Sequence, residues 1–302
     1  MRVILQALDI AEPGAGPTPS AGPLADQEAT DFSDYRILVV EDNHINQLVM
    51  KAILSRTKIR VDMASDGTEA LEALQNYPDY DLIFMDMQMP RMDGVTATRR
   101  IRQQPRFQDL PIIGLTALAL KTDREEGLAA GMNDYLVKPV DQAQILAVLR
   151  KWLRLKQPAS AEAPGAAPPA AEATGPAGLP ALPGVDLAKA LERCAGDHQL
   201  LEEILTYFYN SYQRVISDIQ ASLDRGDRQQ AQFLVHSLKG AAGSIAATEL
   251  HQAASRLEKL LRSGAPGPLT EPLAELQAAL VPVLTALRAW SRVEAAEAAT
   301  LH

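Results

Sequence analysis

The chain has 302 residues, a length that predicts about two domains. It carries 29 basic and 38 acidic residues, and this formal net charge of -9 argues against nucleic acid as a partner. The single cysteine, Cys194, excludes an internal disulfide framework and favours a reducing compartment. No apolar run approaches the ~18 residues of a membrane span, and the first ten residues make a poor signal peptide. We therefore predict a cytoplasmic protein without a membrane segment.

Two segments rich in small residues divide the chain. Residues 1–33 are predicted to be disordered or only partly ordered. Residues 157–184 are predicted to be a linker, because 20 of the 27 residues from Gln157 to Pro183 are Ala, Pro or Gly. At ~3.1 Å per residue an extended linker of this length reaches roughly 80 Å, so the regions on either side need not touch but can meet.

Residues 34–156 alternate short apolar runs with helical patterns. The runs predicted as strands cover 36–40, 59–63, 81–85, 111–115 and 135–137, and the predicted helices cover 45–55, 67–76, 94–103, 121–130 and 142–155. Five strand–helix alternations of this spacing predict a doubly wound α/β domain, in which a five-stranded parallel sheet has helices on both faces.

Residues 185–292 show no convincing strand and predict an all-α four-helix bundle preceded by a short helix. The helical patterns cover 186–193, 197–223, 227–246, 249–263 and 269–292. Residues 293–302 are predicted to form a C-terminal tail, for which a helix and disorder are both compatible with the sequence.

Charged and polar side chains follow four of the predicted strands. Glu41 and Asp42 follow the first strand, Asp86 the third, Thr116 the fourth and Lys138 the fifth. The carboxyl ends of parallel strands share one edge of a sheet, so these groups are expected to meet there. Capping of the next helix is a sufficient explanation for Asp42 or Asn43 taken alone. It does not explain Asp86 or Lys138. Three clustered carboxylates favour a hard divalent ion such as Mg²⁺.

These residues carry a resemblance to a known family. Glu41-Asp42, the run from Met85 to Pro90, Asp93-Gly94, Thr116-Ala117 and Lys138-Pro139 resemble the receiver domain of bacterial response regulators. Glu41-Asp42-Asn43 with Asn46-Gln47 most resembles the receivers of hybrid sensor kinases. The residues at 42, 116 and 138 lie 44, 30 and 52 positions from Asp86, which fits the family. The resemblance covers 34–156 and implies a flavodoxin-like fold.

The resemblance implies a role for each of these groups. Asp86 would be the phosphoacceptor, and Mg²⁺ would be held by Glu41, Asp42, Asp86 and the main-chain carbonyl of Gln88. Lys138 and the metal would neutralise the phosphoryl group, and the Thr116 hydroxyl would bond one of its oxygens. Tyr135 would be a switch that turns inward with Thr116, although ordinary edge packing explains this tyrosine equally well.

Among five histidines, His236 has a distinctive helical context. At 100° per residue, the stripe of Leu234, Leu238, Ala241 and Ile245 faces the core, and His236 lies on the opposite side. We therefore predict an exposed histidine. Gly240 and Gly243 follow at one and two turns, which predicts close approach of another protein to this helix. A solvated polar face with incidental glycines is the alternative.

The stretch from His236 to Ser244 resembles the motif of the histidine-containing phosphotransfer (Hpt) domain. The resemblance extends over the whole helical region. It implies that His236 is a second phosphoacceptor that reacts through a neutral imidazole nitrogen. It also implies that Lys239 bonds a phosphoryl oxygen, with Gly240 and Gly243 forming the surroundings of the phosphohistidine.

Together the two resemblances imply a phosphorelay protein of a two-component system, with no enzymatic activity beyond autodephosphorylation. Asp86 would accept a phosphoryl group from a sensor histidine kinase, and His236 would relay it to the receiver of a downstream response regulator. Transfer within one chain and between chains are both open. One alternative is the C-terminal part of a hybrid sensor histidine kinase. A less favoured one is an aspartyl-phosphate phosphatase of the dehalogenase type, although Gln88 stands where that class has its acid/base aspartate.

Overall fold

A computed structural model describes residues 31–116, 121–153, 182–264 and 269–300. Most of the predicted N-terminal segment and linker lie outside these ranges. The described ends of both segments are packed, which moves two predicted boundaries. Phe32 is buried and its amide donates a hydrogen bond to the Thr57 carbonyl, and Leu182 is buried as well. The packed part of the first domain therefore includes residues before 34, and that of the second includes residues before 185.

The first domain is a sheet of five parallel strands. The strands are β1 (Arg36–Val40), β2 (Arg60–Ala64), β3 (Leu82–Asp86), β4 (Ile112–Thr116) and β5 (Asp134–Val137). Their order across the sheet is β2-β1-β3-β4-β5, which confirms the doubly wound fold. β3 and β4 are buried on both faces, as expected of the central strands in a sheet covered by helices on both sides.

Five helices flank this sheet in the described part of the domain, and the loops after β1, β2 and β3 supply side-chain caps for the helices that follow. They are α1 (His44–Ser55), α2 (Gly67–Asn76), α3 (Gly94–Arg102), α4 (Lys121–Ala130) and α5 (Gln142–Leu153). The Asn43 side chain accepts a hydrogen bond from the Ile45 amide at the start of α1, and Asp93 accepts one from the Thr96 amide in α3. A polar side chain in the cap position satisfies an amide that has no partner within the helix.

The described residues of the second domain form six helices. They are α6 (Leu187–Arg193), α7 (His198–Tyr212), α8 (Val215–Asp224), α9 (Arg228–Ser244), α10 (Thr248–Ser263) and α11 (Thr270–Thr300). The prediction of one continuous helix over 197–223 is wrong, because the chain leaves helical geometry at Arg214, with φ of -110° and ψ of 1°. Helix α11 continues through most of the predicted tail.

Among the described helices, only α11 is long and apolar enough to cross a membrane, over Thr270–Trp290. Its apolar residues have another explanation, because one face of the helix is packed inside the bundle. That buried face consists of Leu273, Leu276, Leu280, Val283 and Leu287. Such a stripe is typical of a core helix in a helical bundle.

The two domains pack against each other through α1. This helix contacts α7 and α9 of the bundle, and one cluster of buried apolar residues runs from the sheet into the bundle. The His44 ring lies 4.8 Å from the Tyr207 ring, measured between centroids. The arrangement brings the carboxyl edge of the sheet to the helix that carries His236.

Candidate functional site

Three carboxylates meet at the carboxyl edge of the sheet. Glu41 and Asp42 directly follow β1, and Asp86 ends β3, the strand that pairs with β1 in parallel register. One oxygen from each side chain lies within 4.8 Å of the others. Glu41 and Asp86 are buried. The sequence prediction that these groups share one edge is thus matched by the geometry.

Lys138 reaches the same cluster from the loop after β5. Its Nζ lies 2.7 Å from Asp86 Oδ2 and 2.5 Å from Glu41 Oε2. Burial alone would lower the pKa of this lysine, but the two carboxylates outweigh burial and raise it. The ammonium group therefore stays charged at neutral pH and bridges two of the three acids.

The cluster still holds more negative than positive charge. Burial is the largest effect on Asp86 and Asp42, and with the charge of Glu41 it raises the pKa of each to about 7 against the opposing effect of Lys138. Oxygen ligands carrying uncompensated negative charge are the donor set that Mg²⁺ prefers. The residues present fit this ion.

Thr116 and Gln88 lie beside Asp86. Thr116 ends β4, the neighbour of β3, and lines the same cavity as Asp86. The Gln88 backbone amide donates to Asp86 Oδ1 at 3.3 Å. The contact described for Gln88 is therefore made by its amide, and the metal-binding role of its carbonyl stays a prediction, as does the phosphoryl contact of Thr116.

Tyr135 lies on β5, and its side chain turns inward toward β4 and α4. Its ring fills the space beside Gly114 and Gly127, where a side chain on either glycine would collide with it. The hydroxyl is buried and has no hydrogen-bond partner among the described residues, and burial raises the pKa of Tyr135 to about 12. The inward position matches one of the two interpretations of this residue, and its switching role stays a prediction.

The Tyr135→Phe substitution is expected to raise the free energy of unfolding by about 1 kcal/mol, because it removes a buried hydroxyl that has no hydrogen-bond partner among the residues the structure describes. Chemical denaturation of the two full-length proteins measures the difference. Tyr209→Phe, at a half-buried tyrosine of the bundle, is the matched control. A loss of stability on Tyr135→Phe would show that the hydroxyl has a stabilising partner in solution.

The prediction that His236 is exposed is wrong. The helical periodicity correctly predicted that Leu238 and Ala241 face the core, since both are fully buried. His236 lies on another face of α9, but it is itself only 7% exposed. Two neighbours cover it: α10 on one side and the carboxyl edge of the sheet on the other. A periodicity within one helix cannot report such coverage.

Glu258 on α10 holds the histidine in place. Its Oε1 lies 2.6 Å from His236 Nδ1, and its Oε2 forms an ion pair with Lys239. Burial tends to raise the pKa of Glu258, but the hydrogen bond and charge of His236, together with Lys239, lower it to about 2. Sequence analysis missed this residue, although one signal was present: an acid adjoins Leu257 on the buried face of α10.

Lys239 is buried, and its ammonium group donates a hydrogen bond to the Glu258 carboxylate. Burial lowers the pKa of Lys239, and the carboxylate opposes that effect. The sequence predicted a contact between this ammonium group and a phosphoryl oxygen. In the structure its described partner is Glu258, so the predicted contact stays a prediction.

One cavity of about 420 Å³ joins the two halves of the site. Asp86 and Thr116 line it from the sheet, and His236, Lys239 and Glu258 line it from the bundle. A charge on His236 is among the influences that lower the pKa of Asp86 against the dominant effect of burial, which places the two groups within electrostatic reach. The two predicted phosphoacceptors therefore face the same space.

The two glycines that follow the histidine lie where the domains approach closely. A Cβ atom added at Gly240 would lie 3.0 Å from Asn46 Nδ2, and one added at Gly243 would lie 3.6 Å from Pro139 Cβ. Asn46 and Pro139 belong to the first domain, and the added Gly243 Cβ would also lie 3.2 Å from His251 Nδ1 of the bundle. Close approach of another protein surface was the expectation from the sequence, and here that surface is part of the same chain.

Two family models match the chain. Residues 37–150 match the response regulator receiver domain, and residues 203–290 match the Hpt domain. The chain is a receiver domain joined to an Hpt domain. Both are phosphoacceptor and phosphotransfer modules, and the chain therefore belongs to the phosphorelay proteins of two-component systems.

Several relatives share both domains or one of them. The sensor histidine kinase GacS of Pseudomonas protegens is 33% identical over 75% of this chain, and the histidine-protein kinase BarA of Escherichia coli is 29% identical over 76%. The chain spans 24% of the length of each of these kinases. The solved receiver of a sensor histidine kinase from Pseudomonas aeruginosa, with a magnesium ion in its active-site cleft, is 45% identical to the receiver domain. That match covers 40% of this chain and 98% of the other, with a TM-score of 0.38.

Proposed function

We propose that the receiver domain accepts a phosphoryl group on Asp86 from a sensor histidine kinase, and that His236 of the Hpt domain relays it to the receiver of a downstream response regulator. The observation that carries this proposal is the single cavity that Asp86 and His236 line from opposite sides. Because both acceptors belong to one chain, the proposal includes transfer within the chain.

In the first step a carboxylate oxygen of Asp86 attacks the phosphorus of the kinase phosphohistidine. The P–N bond breaks, its electron pair returns to the imidazole of the kinase, and an acyl phosphate forms on Asp86. Lys138, 2.7 Å from Asp86 Oδ2, neutralises charge on the group that moves. The Thr116 hydroxyl, on the next strand, donates to one of the phosphoryl oxygens.

Glu41, Asp42, Asp86 and the Gln88 carbonyl would hold Mg²⁺ at this site. The ion would supply positive charge to the phosphoryl oxygens and reduce repulsion between them and the carboxylates. The surplus of buried negative charge around Asp86 supports this part of the proposal.

In the second step His236 Nε2 attacks the phosphorus of the acyl phosphate. The P–O bond breaks, and Asp86 leaves as a carboxylate with the electron pair. The Nδ1–H group keeps its proton and donates a hydrogen bond to Glu258 Oε1, 2.6 Å away, so Nε2 keeps its lone pair for the attack. The ring gains a positive charge as the N–P bond forms, and the Glu258 carboxylate stabilises that charge.

The order of labelling tests the relay. A donor kinase carrying labelled phosphohistidine is mixed with the full chain, and samples are quenched over time. Acyl phosphate is labile to alkali, whereas phosphohistidine is labile to acid, so the two products are separable chemically. We expect acyl phosphate on Asp86 first and phosphohistidine on His236 later. Phosphohistidine that precedes any acyl phosphate would contradict the proposed order.

The Asp42→Asn substitution is expected to weaken Mg²⁺ binding about tenfold or more, because it removes one of the charged oxygen ligands. Isothermal titration of the full chain with Mg²⁺ measures this affinity. Asp79→Asn, at an exposed aspartate that precedes β3 whereas Asp86 ends that strand, is the matched control and is expected to bind as the unchanged chain does. Equal affinity in the two variants would contradict the metal site.

The remaining parts of the proposal concern setting and catalysis. We infer a cytoplasmic location, since the buried Cys194 is the only cysteine, and activity limited to autodephosphorylation. The sequence identity of 33% and 29% to two sensor kinases also supports the alternative that this module is the C-terminal part of a hybrid kinase. The phosphatase alternative predicts many rapid turnovers on small phosphate esters, and that result would contradict the relay.

A further inference from the structure

Two asparagines at the start of α1, the N-cap Asn43 and Asn46 in the first turn, contact the bundle. The first of them, Asn43, divides its amide between two tasks. Its Oδ1 caps α1, and its Nδ2 lies 3.0 Å from the Tyr212 hydroxyl oxygen, 3.0 Å from the Ser237 carbonyl and 3.1 Å from Ser237 Oγ. The position next to His236 is therefore held directly by the receiver domain.

Asn46 connects the carboxylate cluster to the same helix. Its Nδ2 donates to Glu41 Oε1 at 2.8 Å, and its Oδ1 accepts a hydrogen bond from Ser244 Oγ at 2.7 Å. All three residues are buried. Glu41 is in turn paired with Lys138, which holds Asp86, so the contacts run without a gap from the phosphoacceptor to α9.

The two asparagines contact α9 at both ends of the segment from Ser237 to Ser244. Ser237 follows His236 directly, and Ser244 lies about two turns further along the same helix. Gly240, between them, leaves the room that the Asn46 amide occupies. The contacts therefore fix both the position and the direction of the helix that presents the histidine.

Buried hydrogen bonds of this kind discriminate between partners. A side-chain amide that is buried in an interface without a partner loses its hydrogen bonds to water and forms none in exchange. Binding of an Hpt domain without matching hydroxyls is therefore disfavoured. Asn43 contacts one hydroxyl on α7 and one on α9 besides the Ser237 main-chain carbonyl, and Asn46 contacts a hydroxyl near the end of α9. The chain's own bundle supplies all of them in Tyr212, Ser237 and Ser244.

We propose that Asn43 and Asn46 select this chain's own Hpt domain as the recipient of the phosphoryl group on Asp86, and that Asn46 couples this docking to the metal-binding carboxylate Glu41. The inference rests on the proposed relay and names its recipient. Both asparagines act as positioning residues, because they touch the bundle and Glu41 rather than the reacting atoms.

A competition between two full-length chains tests the selection. The donor chain is labelled with acetyl phosphate and Mg²⁺ in the presence of an excess of a second chain that carries Asp86→Ala and a larger tag. At early times the label on His236 divides between the donor's own bundle and the competitor's bundle. We expect Ser244→Ala or Tyr212→Phe in the donor to shift this ratio toward the competitor about three- to tenfold, as loss of one hydrogen bond predicts.

Ser217→Ala is the matched control, since this exposed serine of α8 makes its described hydrogen bond within its own helix region. It is expected to leave the ratio unchanged. If Ser244→Ala and Tyr212→Phe also leave it unchanged while His236 is labelled, the selection is overturned and the relay stands. If no His236 is labelled even in the unchanged chain, the relay itself is overturned.

Mg²⁺ titration tests the coupling separately. Asn46→Ala removes a donor from Glu41, so we expect it to weaken Mg²⁺ binding several-fold, whereas Ser244→Ala leaves the carboxylate contact in place and is expected to bind Mg²⁺ normally. Equal Mg²⁺ affinity in the Asn46→Ala variant and the unchanged chain would overturn the coupling to Glu41.

Discussion

The Asp86→Ala substitution is expected to abolish label on both acceptors when the full chain is mixed with its phosphorylated donor kinase. The proposed relay admits the phosphoryl group only at Asp86, so His236 has no source without it. Label on His236 of the unchanged chain and none on the variant is the expected pair of results, measured by acid and alkali stability of the label. Unchanged labelling of His236 in Asp86→Ala would show that the kinase reaches the Hpt domain directly.

Two further variants make this result interpretable. His236→Gln is expected to keep label on Asp86, where it accumulates because the next acceptor is missing. Asp79→Ala, at an exposed aspartate, is the matched control and is expected to label both positions normally. Asp86→Ala should still fold, because Lys138 retains Glu41 as a buried partner, and thermal unfolding of the variant checks this point.

The Glu258→Gln substitution is expected to slow transfer from Asp86 to His236 about 10- to 100-fold. A hydrogen bond to a charged group contributes about 1.5–3 kcal/mol, and here it strengthens as the imidazole ring becomes positive. The rate at which label moves between the two acceptors, followed by rapid quenching, measures the effect. Glu202→Gln, at an exposed glutamate of α7, is the control and is expected to leave the rate unchanged.

The same substitution is expected to destabilise the fold by about 3–5 kcal/mol, because Lys239 is left as a buried charge without its counterion. The double variant Lys239→Gln, Glu258→Gln removes both charges and should recover much of that loss. If the double variant recovers stability but not the transfer rate, Glu258 acts on the histidine as proposed. Recovery of both would make the role of Glu258 purely structural.

The receiver fold was predictable because its strands are easily recognised in the sequence. β1, β3 and β4 are short apolar runs that end at charged or polar residues, and a sheet covered on both faces requires such runs. The polar residues at the strand ends lie close together because all five strands are parallel and their carboxyl ends share one edge of the sheet. Asp86, Glu41 and Lys138 were therefore placed correctly from positions in the chain.

The break between α7 and α8 was missed for a local reason. Neither Gln213 nor Arg214 is a residue that interrupts helices, and apolar residues continue in helical spacing on both sides. Both helices pack against α11, but α7 also contacts α1 and α8 also contacts α9, and these contacts arise only in the folded chain.

The surroundings of His236 were missed for a longer-range reason. Its partner Glu258 lies 22 residues away on another helix, and its cover comes from the receiver domain. Helical periodicity ranks the faces of one helix but carries no information about which element lies opposite. The docking contacts of Asn43 and Asn46, nearly 200 residues from Ser237 and Ser244, escape sequence analysis for the same reason.

The cover over Asp86 has a consequence for how strongly the chain responds to its kinase. In the proposed relay the kinase histidine has to approach Asp86 from the face that the bundle covers, so the two cannot occupy that face at once. Under that proposal only molecules in which the bundle has moved off this face can receive the phosphoryl group, and the apparent affinity for the kinase falls in proportion to their fraction. If 1 molecule in about 100 were open, the kinase would bind about 100-fold more weakly than to an uncovered receiver. Input sensitivity would then be set by an equilibrium inside the chain rather than by the kinase contact itself.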